Sequence, residues 1–106
     1  MSTEVPFHLV AELSVRDPAK LLEYGRLVQP RMEASGGEIV AVSAAGCQTR
    51  EGEWDPGLMI IHRWRSRAAF EEMWESGDYV PIRQLRHEAA DSRIVTFESA
   101  PPRFGR

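Results

Sequence analysis

The run Phe7-His8-Leu9-Val10-Ala11-Glu12-Leu13-Ser14-Val15, followed by Arg16-Asp17-Pro18, decides the fold. Phe7, Leu9, Ala11, Leu13 and Val15 alternate with His8, Val10, Glu12 and Ser14, and period two over this length is the pattern of a strand with one strongly apolar face. Asp17-Pro18 then reads as an N-cap and first helical position, because the carboxylate can accept an unpaired backbone N–H and proline needs no donor there. Leu21, Tyr24, Val28 and Met32 recur at helical spacing and predict an amphipathic helix ending at Gly36-Gly37. Pro30 inside that stretch predicts a kink or local break.

Working outward, Ile39–Ala45 reads as a second strand. The turn-rich stretch Glu51-Gly52-Glu53-Trp54-Asp55-Pro56-Gly57 leads to a third strand, Leu58–Trp64. Ser66 is the N-cap of a second helical region through Ala68, Phe70, Met73 and Trp74. Gly77 interrupts it, and further helix carries Tyr79, Ile82, Leu85 and Ala89. Ile94-Val95-Thr96-Phe97 is a fourth strand, and the sequence beyond it reads as a tail or an arm reaching a partner. The order is β-α-β-β-α-β, an α+β class with a ferredoxin-like four-stranded antiparallel sheet and helices on one face. The domain is expected over residues 1–99, with a tail over 100–106. The first and third strands are expected to be central, adjacent and parallel. The uncovered sheet face, expected to bear Val10, Ile60 and Trp64, points to a homodimer.

Composition agrees with one small domain. In 106 residues, 42% are hydrophobic and 27% charged, which excludes disorder and collagen-like repeats. A formal charge of −3 lacks the footprint that nucleic-acid phosphates reward, so no nucleic-acid partner is expected. The longest apolar run, Leu58-Met59-Ile60-Ile61, is far too short to cross a bilayer, and with no basic leader the expected location is cytoplasmic, with no membrane partner. Arginine outnumbers lysine 12 to 1, a skew that genome composition explains but that also suits bidentate binding of carboxylate or phosphate.

The spacing of several short signatures resembles a known family. They are Ala11-Glu12-Leu13 with Asp17-Pro18, Glu23-Tyr24, Pro30, Gly36-Gly37, and Glu51-Gly52-Glu53-Trp54 with Pro56-Gly57. The last stretch includes Trp74, Ser76, Tyr79, Arg83, Leu85-Arg86, Ala89-Ala90 and Ser92-Arg93. From about Leu9 to Glu98 the chain resembles the bacterial family catalogued as domain of unknown function 1330, in the dimeric α/β-barrel superfamily. The resemblance implies a homodimer whose two sheets face each other. Where that family usually carries an aliphatic residue, an acid, an aromatic and proline, this chain has His62-Arg63-Trp64-Arg65. The superfamily includes cofactor-independent monooxygenases, isomerases, cyclases and haem enzymes, so fold alone does not select an activity.

Three constellations carry candidate chemistry. Parallel registration would put Glu12 opposite His62 or Arg63. With His62 it would make a catalytic acid/base pair in which the carboxylate orients the imidazole; with Arg63 it would make a structural salt bridge. His8 shares the Glu12 face and would line the same interior. On an ideal helix Ile82, Leu85 and Ala89 define the apolar face, with Arg86 on its border and Arg83 flanking it, and the two arginines could clamp an anion or pair with surface glutamates. Tyr24, Trp54, Trp64 and Tyr79 could wall a ligand pocket, with Trp54 as a lid and the tyrosines as donors or relays. One cysteine and scattered histidines match no metal spacing, no axial haem ligand is marked, and no phosphate-cradling glycine loop appears, so no metal or cofactor is expected. The expected function is a small-molecule-binding, cofactor-independent enzyme of isomerase, cyclase or lyase type, acting on an apolar and possibly anionic metabolite. The alternative is a non-catalytic ligand-binding or dimerisation module.

Overall fold

A computed structural model of the chain describes residues 4–100. β1 (Phe7–Val15) leads into α1 (Pro18–Ala34), followed by β2 (Gly37–Val42), β3 (Leu58–Trp64), α2 (Arg67–Trp74), α3 (Tyr79–Ala89) and β4 (Ala90–Glu98). The caps form as the sequence predicts. The Asp17 carboxylate accepts the Lys20 N–H at 3.1 Å, and Ser66 Oγ accepts the Ala69 N–H at 3.1 Å. α1 runs past Pro30 to Ala34 instead of breaking there. It ends at Ser35, and Gly36 turns the chain with φ +92°, a left-handed value that costs glycine nothing. Around Gly77 the second helical region divides into α2 and α3.

The sheet order is β2-β3-β1-β4 and every neighbouring pair is antiparallel. This fits the expected ferredoxin-like α+β class, with β1 and β3 central, but it corrects the expectation that those two strands are parallel. The reason is connectivity. A helical crossover joins β1 to β2, so these two run the same way, while β3 returns from β2 by a loop and lies between them.

That reversal resets the faces. Directly opposed residues point to the same side of a sheet. Phe7 faces Trp64, Leu9 faces His62 and Ala11 faces Ile60, so the apolar side of β1 and these β3 residues all lie under the helices. Ile60 and Trp64 therefore belong to the covered face, contrary to the sequence-based expectation. The uncovered face carries Val10, Ile61, Val95 and Phe97, the last three exposed. β2 starts at Gly37, two residues earlier than predicted, and ends at Val42, with a register irregularity at Val40. β4 extends beyond the predicted segment in both directions.

The core joins Phe7, Leu9, Val28, Met32, Trp64, Phe70, Met73 and Ile82 between sheet and helices. Gly37 is required there, because a Cβ at that position would sit 2.7 Å from the Trp64 indole. Residues 101–106, most of the predicted tail, lie outside the described residues.

Candidate functional site

Sheet and helices enclose a cavity of about 440 Å³ within the covered layer, a size typical of small-molecule sites. Its floor follows from the strand register. Val42 faces Ile60, Ile60 faces Ala11, and Ala11 faces Ile94, so one row crosses all four strands, and every member lines the cavity. Ala11 is the smallest of the four and leaves the centre of the row low. The predicted stripe Leu21, Tyr24, Val28 and Met32 forms the roof on the α1 side, and Met73, Trp74 and Tyr79 close it from α2 and α3.

Few polar groups reach this apolar space, and Arg86 dominates them. The buried stripe of α3 is Tyr79, Ile82, Arg86 and Ala89, so the arginine occupies a place that helical spacing assigns to a core residue. It is only 4% exposed. Its Nη1 donates to Ser92 Oγ at 2.7 Å, and its guanidinium lies 5.7 Å from the Tyr24 ring centre and 5.8 Å from that of Trp74. Its Nε is buried without a partner, and no carboxylate among the described residues pairs with it. A guanidinium stays charged in a protein, so a full positive charge is buried here with no carboxylate of the described residues in ion-pair contact.

Two tyrosines stand beside it. The Tyr24 and Tyr79 hydroxyls are hydrogen-bonded at 2.8 Å. Burial pushes the Tyr24 phenol up in pKa and the Tyr79 neighbour adds to that, outweighing the opposing pull of Arg86. Tyr24 is therefore protonated at neutral pH. Two hydroxyls sharing one mutual bond leave one O–H free to donate to a ligand.

His62 lines the cavity from β3, and burial lowers its pKa to about 4. Its Nδ1 is buried without a partner, so Nε2 is the nitrogen left to meet a ligand. Trp64 supports the same wall, its ring edge-on to Phe70 at 5.3 Å.

The predicted site residues divide between two faces. The cavity gathers Tyr24, His62, Trp64, Tyr79 and Arg86. Glu12 lies opposite Met59 on the uncovered face, so the predicted pairing with His62 does not form, and neither does a pairing with Arg63. Its Oε2 instead accepts the Trp54 Nε1–H at 3.3 Å and the Gly57 N–H at 3.1 Å, and its Oε1 lies 3.6 Å from Arg93. Glu12 thus pins the β2–β3 loop, and Trp54, expected as a pocket lid, is held at the uncovered face and half exposed. His8 stacks on Phe97 at 5.5 Å on that same face, and Arg63 donates through Nε to Glu38 at 2.8 Å. Arg83 lies outside the cavity. It donates to the Trp74 carbonyl at 3.0 Å and lies over the Trp74 and Tyr79 rings at 5.3 and 5.1 Å. It braces the cavity wall and does not enter the cavity. Ser92, the hydroxyl that fixes Arg86, was not singled out from sequence; once β4 is extended to Ala90, its place opposite Leu13 marks it as inward-facing. Among the described residues no His/Cys/Asp/Glu group is arranged to hold a metal, and no helix is long and apolar enough to cross a membrane.

The model of the family described as domain of unknown function DUF1330 matches residues 6–100. The chain belongs to that family. Among solved structures, this family member is similar to RPA0582, a protein of unknown function from Rhodopseudomonas palustris. The TM-score is 0.66 at 25% identity, covering 93% of this chain and 85% of that one. It is also similar to SnoaB, a cofactor-independent oxygenase from Streptomyces nogalater (TM-score 0.62, 16% identity, covering 96% and 99%). A third is Rv0793 from Mycobacterium tuberculosis (TM-score 0.58, 19% identity, covering 95% and 99%). The latter two similarities establish the fold alone. No curated protein matches the chain.

Proposed function

We infer that the chain binds an apolar, anion-bearing metabolite in the cavity under its helices and moves a proton on it without a cofactor, in an isomerase, cyclase or lyase type of reaction. The observation that carries this reading is the buried Arg86, unmatched by any described carboxylate, at the edge of an otherwise apolar cavity. A bound anion would supply the missing counter-charge.

The remaining polar groups supply complementary roles. His62 is neutral at physiological pH and offers Nε2 as an acceptor when its hydrogen is on Nδ1. A substrate C–H beside it would break, with the proton passing to Nε2 and the electron pair moving into an adjacent carbonyl as an enolate. The free O–H of the Tyr24–Tyr79 pair would donate to that oxygen, and the proton would return to a different carbon. The working form proposed is a homodimer joined through the uncovered sheet face, supported by the exposed Val95 and Phe97 there, and the proposed location is the cytoplasm.

Proton transfer is testable on 4-phenyl-2-oxobutanoate, an apolar acid with an exchangeable C–H. Incubated in D2O, this compound is expected to exchange faster with wild type than without protein, and His62→Gln should reduce the catalysed rate about 100-fold. Equal catalysed exchange by a folded His62→Gln variant would exclude His62 as the base. The absence of an orienting carboxylate at His62 favours the second reading, a binding module, and that reading expects ligand binding with no catalysed exchange.

His62 also makes a pH prediction independent of substrate. Its folded pKa of about 4 lies below the unfolded value near 6.5, so on acidification the unfolded chain takes up a proton first. Stability should fall as pH drops below about 6.5 and level near 4, with His62 contributing about 2 kcal/mol of the loss between pH 8 and pH 5. Urea denaturation at the two pH values should show His62→Gln losing less stability than wild type by about that amount.

A further inference from the structure

We propose that the ligand of this cavity is an elongated amphipathic monocarboxylate that enters head first, its carboxylate against Arg86 and its apolar tail leaving between α1 and β2. The proposal rests on the reading of the cavity as the binding site and adds the ligand's shape, charge and direction.

The direction follows from where the lining is wet. Among the lining residues Leu22, Ile39 and Val42 are 57%, 40% and 45% exposed, and all three lie on α1 or on the edge strand β2. At the opposite end, beside α3 and β4, the polar lining side chains are buried, with Tyr79 1% and Arg86 4% exposed. The mouth between α1 and β2 is therefore apolar, and the charged group lies at the far end of the trough, where Arg86, Trp74 and Ile94 separate the cavity from a surface pocket that also includes Asp91 and Ser92. A ligand with its charge at the entrance would leave Arg86 unmatched and would place that charge among Leu22, Ile39 and Val42.

The length follows from the sheet. The floor row Val42, Ile60, Ala11 and Ile94 spans four strands, three intervals of about 4.8 Å, so the trough is roughly 14 Å long. At about 30 Å³ for each water-sized volume, the cavity of about 440 Å³ holds roughly 15 heavy atoms. The low centre of the row at Ala11 allows an unbranched or planar body to pass.

The charge follows from the count of cations. Among the described residues Arg86 is the one guanidinium lining the cavity, held by Ser92 Oγ from outside the lining, and Tyr24 and Tyr79 add neutral donors. One buried positive charge balances one negative charge, whereas a doubly ionised phosphate would bring an uncompensated second charge into the apolar layer. A carboxylate also accepts two parallel N–H bonds from a guanidinium edge.

Dodecanoate and dodecanol are matched probes. Calorimetric titration should show dodecanoate binding at least tenfold more tightly than dodecanol, and Arg86→Gln should reduce dodecanoate affinity at least tenfold while leaving dodecanol within threefold. Equal affinity for acid and alcohol in wild type would overturn the monocarboxylate assignment while leaving the cavity as a ligand site. Binding of neither would overturn both. Orientation is read in wild type, so it does not depend on the variant folding. Of the two tryptophans lining the cavity, Trp74 lies beside Arg86 and Trp64 is 1% exposed in the core, and neither belongs to the mouth at Leu22, Ile39 and Val42. Therefore 2-bromododecanoate, with its quencher next to the carboxylate, should quench tryptophan fluorescence at least twice as strongly as 12-bromododecanoate. The reverse order would overturn head-first entry.

Discussion

Gly57→Ala is expected to destabilise the protein by about 3 kcal/mol or more. A Cβ at Gly57 would overlap the Leu13 carbonyl oxygen and lie 3.1 Å from its carbon. That carbonyl cannot move aside, because Leu13 is paired with Leu58 on one side and Ser92 on the other. Shifting Gly57 instead would stretch its N–H bond to Glu12 and release the loop that Glu12 holds. Gly25→Ala is the control. It lies inside α1 with nothing within 4 Å of the added carbon, so it should raise stability by about 0.5–1 kcal/mol. Urea denaturation of the two variants checks both signs. A Gly57→Ala protein within 1 kcal/mol of wild type would mean that the approach of the loop to β1 is wrong.

Arg86→Met should separate stability from binding. The substitution removes a buried charge that no described carboxylate balances and replaces it with an apolar side chain of similar length at a core position of α3. Losing the Ser92 bond costs about 1.5–3 kcal/mol and each ring contact, with Tyr24 and Trp74, about 1–2 kcal/mol. Relief of the buried charge is worth at least as much. The thermal midpoint should therefore be no lower than that of wild type, while affinity for an apolar carboxylate falls at least tenfold. A core arginine that weakens the fold and serves only a ligand gives this pattern; an arginine kept for structure would give a lower midpoint.

Much of the fold was legible because period-two and helical spacings are written directly in β1 and α1, and because Asp17, Ser66 and Gly36 carry cap chemistry that needs no tertiary information. Strand direction was not legible from spacing, since alternation along β1 and β3 is the same whichever way the strands run. That single ambiguity misplaced the site. With β3 reversed, His62 moves under the helices and Glu12 stays outside, so a pair inferred from proximity became two residues with unrelated roles. Arg86 is visible in the sequence as a candidate anion clamp, but ideal helical spacing puts Leu85 on the apolar face and leaves Arg86 at its border. The stripe Tyr79, Ile82, Arg86 and Ala89 has helical spacing as well, and in the structure it is the buried one. The contact between Tyr24 and Tyr79 joins α1 to α3 across 55 positions of sequence, and no local pattern encodes it.

The central claim is that ligand binds under the helices and not on the uncovered sheet face. A methyl carbon–proton correlation spectrum recorded during titration with dodecanoate tests this residue by residue. The floor row should respond, with Ala11, Val42, Ile60 and Ile94 shifting together and saturating at one concentration. Val10, Ile61 and Val95, on the other side of the same strands, should stay in place. Shifts confined to those three, with the floor row unmoved, would contradict the account.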